Sequence, residues 1–518
     1  MSPLPPQIFI PPVPTLLLLL SAGIIYYILS SIYVWHRLRA FNGPFVARFS
    51  YGWVAAAIAS SQSGDWIFQV TRKYATAKSH TPTTVRVGPN DLLTTDIDFV
   101  RRMNGARSKY TRSNWYKLNA LDPYHDNMFS IMETTEHDKV KAKVAAGYGG
   151  KEIPGLEGEI IDGMIFLLVH TLRNKYAVTR ERKTPPMLDL ASISQYFTLD
   201  TITKIAFGQA FGFLTSESDV HGYIQMILDI APTITMSASI PYLAEIMSSK
   251  LVLSVMGPSP RDKKGVGKMM LLSKNLVSDR FGPDAKDVPD MMGSFIRHSL
   301  TKRECETEAI FQIVAGSDTT ATAIRAIMLY VITTPRVYRR LQDEIDAGIK
   351  EGRISSPVIT AAEGAEFGYL QAVIQEGLRL HPPFNGLNYK VVPPGGDYLD
   401  GVFVPAGTRI APSHWAMMRN TSIFGEDADL FRPERWIEAD PDKYAEMRKA
   451  TDLCFGHGRW GCAGKVIAFM EMNKVFVELL RNFDFQLMNP THPWRQVNYV
   501  LFMQRDMWVR VTARENKG

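Results

Sequence analysis

Apolar positions along the chain follow three different patterns. From Thr15 to Trp35, "TLLLLLSAGIIYYILSSIYVW", no charge occurs across twenty-one residues. At ~1.5 Å per residue, a helix of that length just spans a hydrocarbon core of ~30 Å. From about Glu157 to Lys350 apolar residues recur at helical spacing, with breaks at Pro185-Pro186, "FGQAFGF" and "MGPSPRDKKG". Short alternating stretches make the third pattern. One is a strand pair around "TTVRVGPNDLLTTD", broken by Gly88-Pro89-Asn90. A second runs from Tyr389 to Ile410, where Val402 and Val404 alternate up to the turn Pro405-Ala406-Gly407 and predict a hairpin. Phe485–Leu487 and Trp508–Thr512 predict strands in the tail.

These patterns divide the chain into a proline-rich leader (1–14), a transmembrane anchor (15–35), a linker (36–48) with its turn at Gly43-Pro44, and one body (49–518). No linker within the body is convincing enough to split it, so one mainly α domain with small β-sheets is the economical reading. His36, Arg37 and Arg39 follow the apolar span at once, and no charged side chain precedes it. The positive-inside rule then leaves the body in the cytosol. A cleaved signal peptide fits poorly, since the positive n-region is missing and the apolar run is too long. A net charge of +6 with no basic block argues against nucleic acid. Only three cysteines (Cys305, Cys454, Cys462) in so long a chain argue against a disulfide scaffold and for a reducing compartment.

One of the three cysteines stands in an unusual setting. "FGHGRWGCAGK", Phe455 to Lys465, places glycines at 456, 458, 461 and 464 around Cys462. The glycines keep side chains away and let a large flat object approach. After Gly464, Val466, Phe469, Met470, Phe476 and Leu480 step at helical spacing, which sets Cys462 at a helix N-terminus where a thiolate is favoured. Taken alone, the loop leaves an iron–thiolate bond, a nucleophile paired with His457, and inert packing open. Zinc fits less well, because Cys454, His457 and Cys462 match none of the usual tight ligand spacings. Cys454 reads as core packing.

Three further stretches bear on the choice. "AGSDTT", Ala315 to Thr320, lies inside a long apolar helix expected from about Thr301 to Pro335. Gly316, Asp318, Thr319 and Thr320 are poor helix formers, and together they suggest a local opening with an acid and a hydroxyl facing a cavity. A plain polar kink is the competing explanation. "EGLR" puts Glu376 and Arg379 at i,i+3 on one helix face, and "FRPERW" adds Arg435. Buried together, the three would lock a loop onto the core.

In that order, Ala315-Gly316-x-Asp318-Thr319-Thr320, Glu376-x-x-Arg379, Phe431-x-Pro433-Glu434-Arg435-Trp436 and Phe455-x-x-Gly458…Cys462-x-Gly464 resemble the signature set of the cytochrome P450 family. The likeness covers roughly residues 40 to 518. The anchor resembles that of microsomal members, and "RVGPN" with the Gly-Arg-Trp-Gly-Cys cluster is most similar to filamentous-fungal members that tailor secondary metabolites. The resemblance implies the P450 fold and haem b, with Cys462 as axial ligand and Ala315, Phe455, Gly456, Gly458 and Gly464 against the cofactor. It implies Asp318 and Thr319 as the acid–alcohol pair that delivers protons, and Glu376, Arg379 and Arg435 as a structural triad. The family's haem-loop arginine falls at Trp460, so His137, Lys141, Lys390 and Arg459 are the candidates for the haem propionates.

The same resemblance implies a monooxygenase of the endoplasmic reticulum membrane, fed with NADPH electrons by a reductase. Lys139, Lys141, Lys143, Arg459 and Lys465 form a candidate docking face for that partner. Family substrate segments match Ile310–Val314, Phe384–Asn388 and Tyr499–Phe502, whose apolar character suits a terpenoid, polyketide or alkaloid. Competing classes are a haem-thiolate isomerase or dehydratase working without a reductase, a non-catalytic haem protein, and a zinc module.

Overall fold

A computed structural model describes residues 12–76 and 79–515, so most of the proline-rich leader lies outside the described residues. The body is mainly helical with small sheets, as expected. Eight helices bear on the site and are numbered here in chain order. They are α1 Val13–Arg37, α2 Ile97–Asn104, α3 Thr134–Tyr148, α4 Leu190–Phe207, α5 Tyr223–Ser239, α6 Lys302–Thr333, α7 Gly368–Leu380 and α8 Lys465–Asn482.

α6 forms the axis of the body. A capping box between Thr301 and Glu304 starts it, and Pro335 ends it by disfavouring helical geometry at Thr334. Its 32 residues run without a break, so the expected opening at "AGSDTT" is absent. Gly316 has a packing role instead: a Cβ there would sit 2.6 Å from Ile202 Cγ1 of α4. The glycine lets two buried helices pack closely, and that contact offsets its helix cost of ~1 kcal/mol.

Thr84–Gly88 pairs antiparallel with Asp91–Thr94 around Pro89-Asn90. Both strands belong to a five-stranded sheet that also takes in Arg409–Pro412, Lys390–Val391 and Thr111–Arg112. The hairpin expected near Val404 exists, but its turn is elsewhere. Asp397–Leu399 pairs with Val402–Val404 through Asp400-Gly401, while Pro405-Ala406-Gly407 leads into the larger sheet. An Asp-Gly pair is the stronger two-residue hairpin signal. In the tail Phe483–Leu487 pairs with Trp508–Ala513, and an unforeseen hairpin, Arg495–Asn498 with Phe502–Arg505, lies between them.

The expected span 15–35 falls within α1, where Leu18 and Tyr26 are 70% and 76% exposed. Side chains at 13, 16, 19 and 20 lie outside the described residues, and among the described residues no single helix is long and apolar enough to cross a membrane. The stretch 36–48 is no loose linker, because Leu38 and Phe41 are fully buried beside Leu92 and Ile410. Arg86 of "RVGPN" explains how this region is held. Its buried guanidinium donates to the carbonyls of Val34 and Trp35 in the last turns of α1, and to those of Arg48, Gly88 and Pro89. Those α1 carbonyls lie where a helix has no backbone partners to offer. Asn90 Nδ2 donates to Gly407 O at 2.8 Å, tying the same motif to the sheet.

Candidate active site

A cavity of ≈ 400 Å³ lies between α6 and the start of α8. Cys462 stands two residues before Gly464, the N-cap of α8. Its exposed surface opens on this cavity. Burial pushes the thiol up, while the N–H groups of Gly464 and Lys465 and the ammonium groups of Lys141 and Lys465 pull it back toward the thiolate. The loop glycines do different jobs. Gly456 and Gly458 have φ of +72° and +57°, and a Cβ on them would strike Trp460 O at 2.7 Å and Asn104 O at 2.4 Å, so they shape the loop against α2. Only at Gly464, of the four, would a Cβ meet nothing within 4 Å. That residue would leave clearance for a flat ligand. Phe455 lines the cavity and packs on Phe469 with ring centroids 5.4 Å apart.

Among the described residues no hydrogen bond joins His457 to Cys462, and no three His, Cys, Asp or Glu side chains are arranged to hold a metal ion. The nucleophile and zinc readings lose their support. Cys454 packs against the main core, as expected.

Across the cavity α6 presents Ala315, Gly316, Thr319 and Thr320. Thr319 Oγ1 donates to Ala315 O at 2.9 Å, the back-bond common for a helical threonine. Asp318 points elsewhere, contrary to the expected acid–alcohol pair facing one cavity. It is buried and accepts from Gln195 Nε2 at 2.7 Å and Tyr223 Oη at 2.9 Å, and Gln195 in turn takes Arg325. Burial raises the Asp318 carboxyl despite those bonds. Adjacent helical residues project ~100° apart, which is why Asp318 faces α4 and α5 while Thr319 faces the cavity.

Basic side chains gather at one rim. Lys390 is 1% exposed, its Nζ has no hydrogen-bond partner, and it sits 3.7 Å from the Trp460 ring centroid. Arg112, which the sequence reading missed, lies 4.2 Å from the same ring and donates to Met128 O and Ile131 O, leaving its Nε unpartnered. Burial lowers Arg112 to about 10 and Lys390 well below the ordinary lysine value. Trp460 Nε1 is likewise unpartnered. Two buried cations with no carboxylate bonded to either among the described residues are costly unless an anion joins them. A planar chelate bearing two carboxylates, as haem does, fits this rim and the thiol below.

The other candidates divide. Lys141 Nζ donates to Arg459 O and Gly461 O, both at 2.7 Å, and so braces the cysteine loop. His137 packs on Trp460 with ring centroids 4.3 Å apart and the rings tilted, bonds Asp138, and is lowered to about 4 by burial and by Arg112. Arg459 pairs with Asp138 and donates to Ala106 O. Of the docking candidates, Lys139 is the most exposed, while Lys141 is turned inward.

Lys390→Met gives a direct check on the rim. Removing an unpaired buried charge is expected to stabilise the haem-free protein by about 1–3 kcal/mol. The same change should accelerate haem loss to an acceptor globin, so melting and transfer rates move in opposite senses.

Glu376 and Arg379 of α7 are fully buried, and their carboxylate–guanidinium bonds measure 2.7 and 2.8 Å. Arg435 Nε joins at 3.0 Å, and Trp436 Nε1 adds a bond at 2.9 Å that the motif did not advertise. Arg379 also donates to Met418 O and Ala428 O, tying α7 to the segment that leads to the cysteine loop.

The three expected substrate segments supply Phe311, Val314, Phe384, Val500 and Leu501 to the lining. α5 adds Ile227, Ile230 and Ile234, which only the tertiary fold reveals. Glu471 of α8 is another unforeseen neighbour. It is buried, has an unpartnered Oε2, and is raised to about 8 by burial.

Residues 159–507 match a family model described as Cytochrome P450. The chain is 46% identical over 497 residues, 96% of each protein, to "Cytochrome P450 monooxygenase ABA1" of Pyricularia oryzae. It is 41% identical over 480 residues, 92% of each, to "Cytochrome P450 monooxygenase aba1" of Botryotinia fuckeliana. "Pisatin demethylase" of Fusarium vanettenii is 29% identical over 486 residues, covering 92% of this chain and 89% of that one.

Proposed function

The chain belongs to the cytochrome P450 family, and on that premise we propose that it hydroxylates or otherwise oxidises an apolar secondary metabolite at a haem held by Cys462. It is a haem-thiolate monooxygenase by kinship with its named fungal relatives. Bound haem would supply dioxygen activation, promoted by electron density from its sulfur ligand. The observation that carries the assignment of Cys462 is its thiol opening into a cavity lined by Trp460 and buried Arg112, with buried Lys390 packed on the Trp460 ring and no carboxylate bonded to either cation among the described residues. Arg112, Lys390 and the Trp460 N–H would take the propionates. Thr319 would hold water or a hydroxyl-bonded oxygen at its side chain, and the apolar faces of α5 and α6 would exclude bulk solvent from the substrate.

Kinship also supports electron supply from NADPH through a reductase, as the family uses. Lys139 with Lys143 and Lys465 remains as the docking face, since Lys141 is engaged with the loop and Arg459 with Asp138 and Ala106 O. We read α1 as a single membrane anchor of the endoplasmic reticulum, supported by its uncharged run and the basic residues after it. The leader, anchor and body then keep the divisions 1–14, 15–35 and 49–518, while residues 36–48 are a joint pinned by buried Leu38 and Phe41. Purified protein reconstituted with reductase and NADPH should convert a component of a fungal metabolite extract into a product heavier by one oxygen atom. Turnover without NADPH would favour the isomerase reading, and protein lacking porphyrin would defeat both.

A further inference from the structure

Glu308 is a buried carboxyl group that lines one cavity and is bonded to residues lining another. On one side lies a groove of ≈ 380 Å³ whose mouth carries the exposed carboxylates of Asp126, Glu133 and Glu136. Glu308 itself is 1% exposed and forms the floor with Glu304, Thr307 and Val140. On its other side Oε2 accepts from Tyr148 Oη at 3.2 Å, and Oε1 takes the N–H of Met128. Tyr148 and Met128 both line the large cavity. Gln312, one turn along α6 from Glu308, lines that cavity too. It is 0% exposed, and neither amide atom has a hydrogen-bond partner. A buried amide with nothing to bond calls for water. Thr319 lies about two turns further along the same helix, ~10 Å away.

We infer that Glu308 and Tyr148 form a proton inlet from the surface groove into the large cavity, with Gln312 ordering the water beyond them.

The need arises from the reaction proposed above, on which this inference rests. Each dioxygen split with insertion of one oxygen atom consumes two protons and two electrons and releases one water. Asp318 is bonded to α4 and α5, and Glu308 offers a further acid that has its own path to the surface groove. In each transfer Glu308 gives its proton to the Tyr148 oxygen, Tyr148 releases its own to the cavity water, and the groove water reprotonates Glu308. Charge and atoms balance, and no redox partner is involved in the transfer. Burial, with help from Glu304, holds Glu308 up at about 7, against the pull of the Met128 N–H and Tyr148. The groups facing it are Tyr148 from α3, Glu304, Cys305 and Gln312 from α6, and the three carboxylates at the mouth, with no cation bonded to it among the described residues. Glu308 is therefore protonated below neutrality and ionised above it. Its supply of protons weakens as pH rises through about 7.

Full-length holoenzyme with reductase and NADPH, and no substrate, tests this. Peroxide takes two protons and two electrons per dioxygen, water four of each, so the peroxide share of NADPH consumed reports proton supply. In the wild type that share should climb as pH passes through about 7. Glu308→Gln, which keeps the shape and the Met128 bond, should show a high share at every pH and about tenfold slower water formation. Tyr148→Phe should match it, and Glu308→Asp should restore the pH step. A Glu308→Gln enzyme with the wild-type profile would overturn the inlet. The same holoenzyme without reductase should show an infrared carboxyl band, lost in Glu308→Gln, with a midpoint near 7. A band with no neutral midpoint also overturns it. Absence of NADPH consumption by the wild type would count against the monooxygenase assignment instead.

Discussion

Glu376→Ala is expected to destabilise the protein by about 3–5 kcal/mol, the usual cost of leaving buried charge unpaired. Domain stabilities are only about 5–15 kcal/mol, so little margin would remain. The carboxylate accepts from Arg379, Arg435, the Trp436 indole and the Arg432 backbone N–H, all within 3.0 Å. Alanine strands those donors at once. Burial by itself would raise this carboxyl, yet the bonds and charge of the two arginines hold it below the ordinary range. A depressed carboxyl contributes its stability in full above the unfolded value and loses it as pH falls through the folded one. The gap between wild type and Glu376→Gln should therefore narrow in acid. Urea unfolding at several pH values measures both effects. A Glu376→Ala loss under about 1 kcal/mol would mean that the network holds nothing together.

Cys462→Ala should have the larger effect on function and a small one on folding. Its Sγ faces the cavity and bonds no distant element, and the backbone bond from Cys462 N to Phe455 O at 2.6 Å survives the change. Melting of the haem-free protein should stay within about 0.5 kcal/mol of wild type, as for a substitution that opens no core void. Haem binding through sulfur should disappear, seen as loss of the thiolate-type spectrum of the reduced carbonyl complex. Turnover should fall by roughly 10³-fold or more, the order seen when a group essential to the chemistry is removed. Cys454→Ala is the control, because that side chain packs in the core and should leave the spectrum unchanged.

What could be read from the sequence follows the range of the interactions. The signature segments are local, so the position of Cys462 before a helix and the joining of Glu376, Arg379 and Arg435 are legible from residue order. The direction of Asp318 differs from the expected one because adjacent positions on a helix look alike in one dimension, and only α4 and α5 decide where it points. Arg112 gave no signal, standing as a lone arginine in a two-residue strand. The Glu308–Tyr148 bond joins residues 160 positions apart, beyond the reach of any periodicity. The hairpin turns at Asp400-Gly401 and not at Pro405-Ala406-Gly407, and the strand before it, Asp397–Leu399, carries no apolar alternation to announce it.

The Arg86 clamp makes the apolar N-terminal helix and the folded body a single mechanical unit. Two of the five oxygens that solvate that guanidinium belong to Val34 and Trp35. Trimming the chain to the body alone therefore leaves a sunken cation short of acceptors, at the very seam where the first sheet begins. With the clamp intact, the pitch of the leading helix dictates the heading of everything behind it, much as a keel sets the course of a hull.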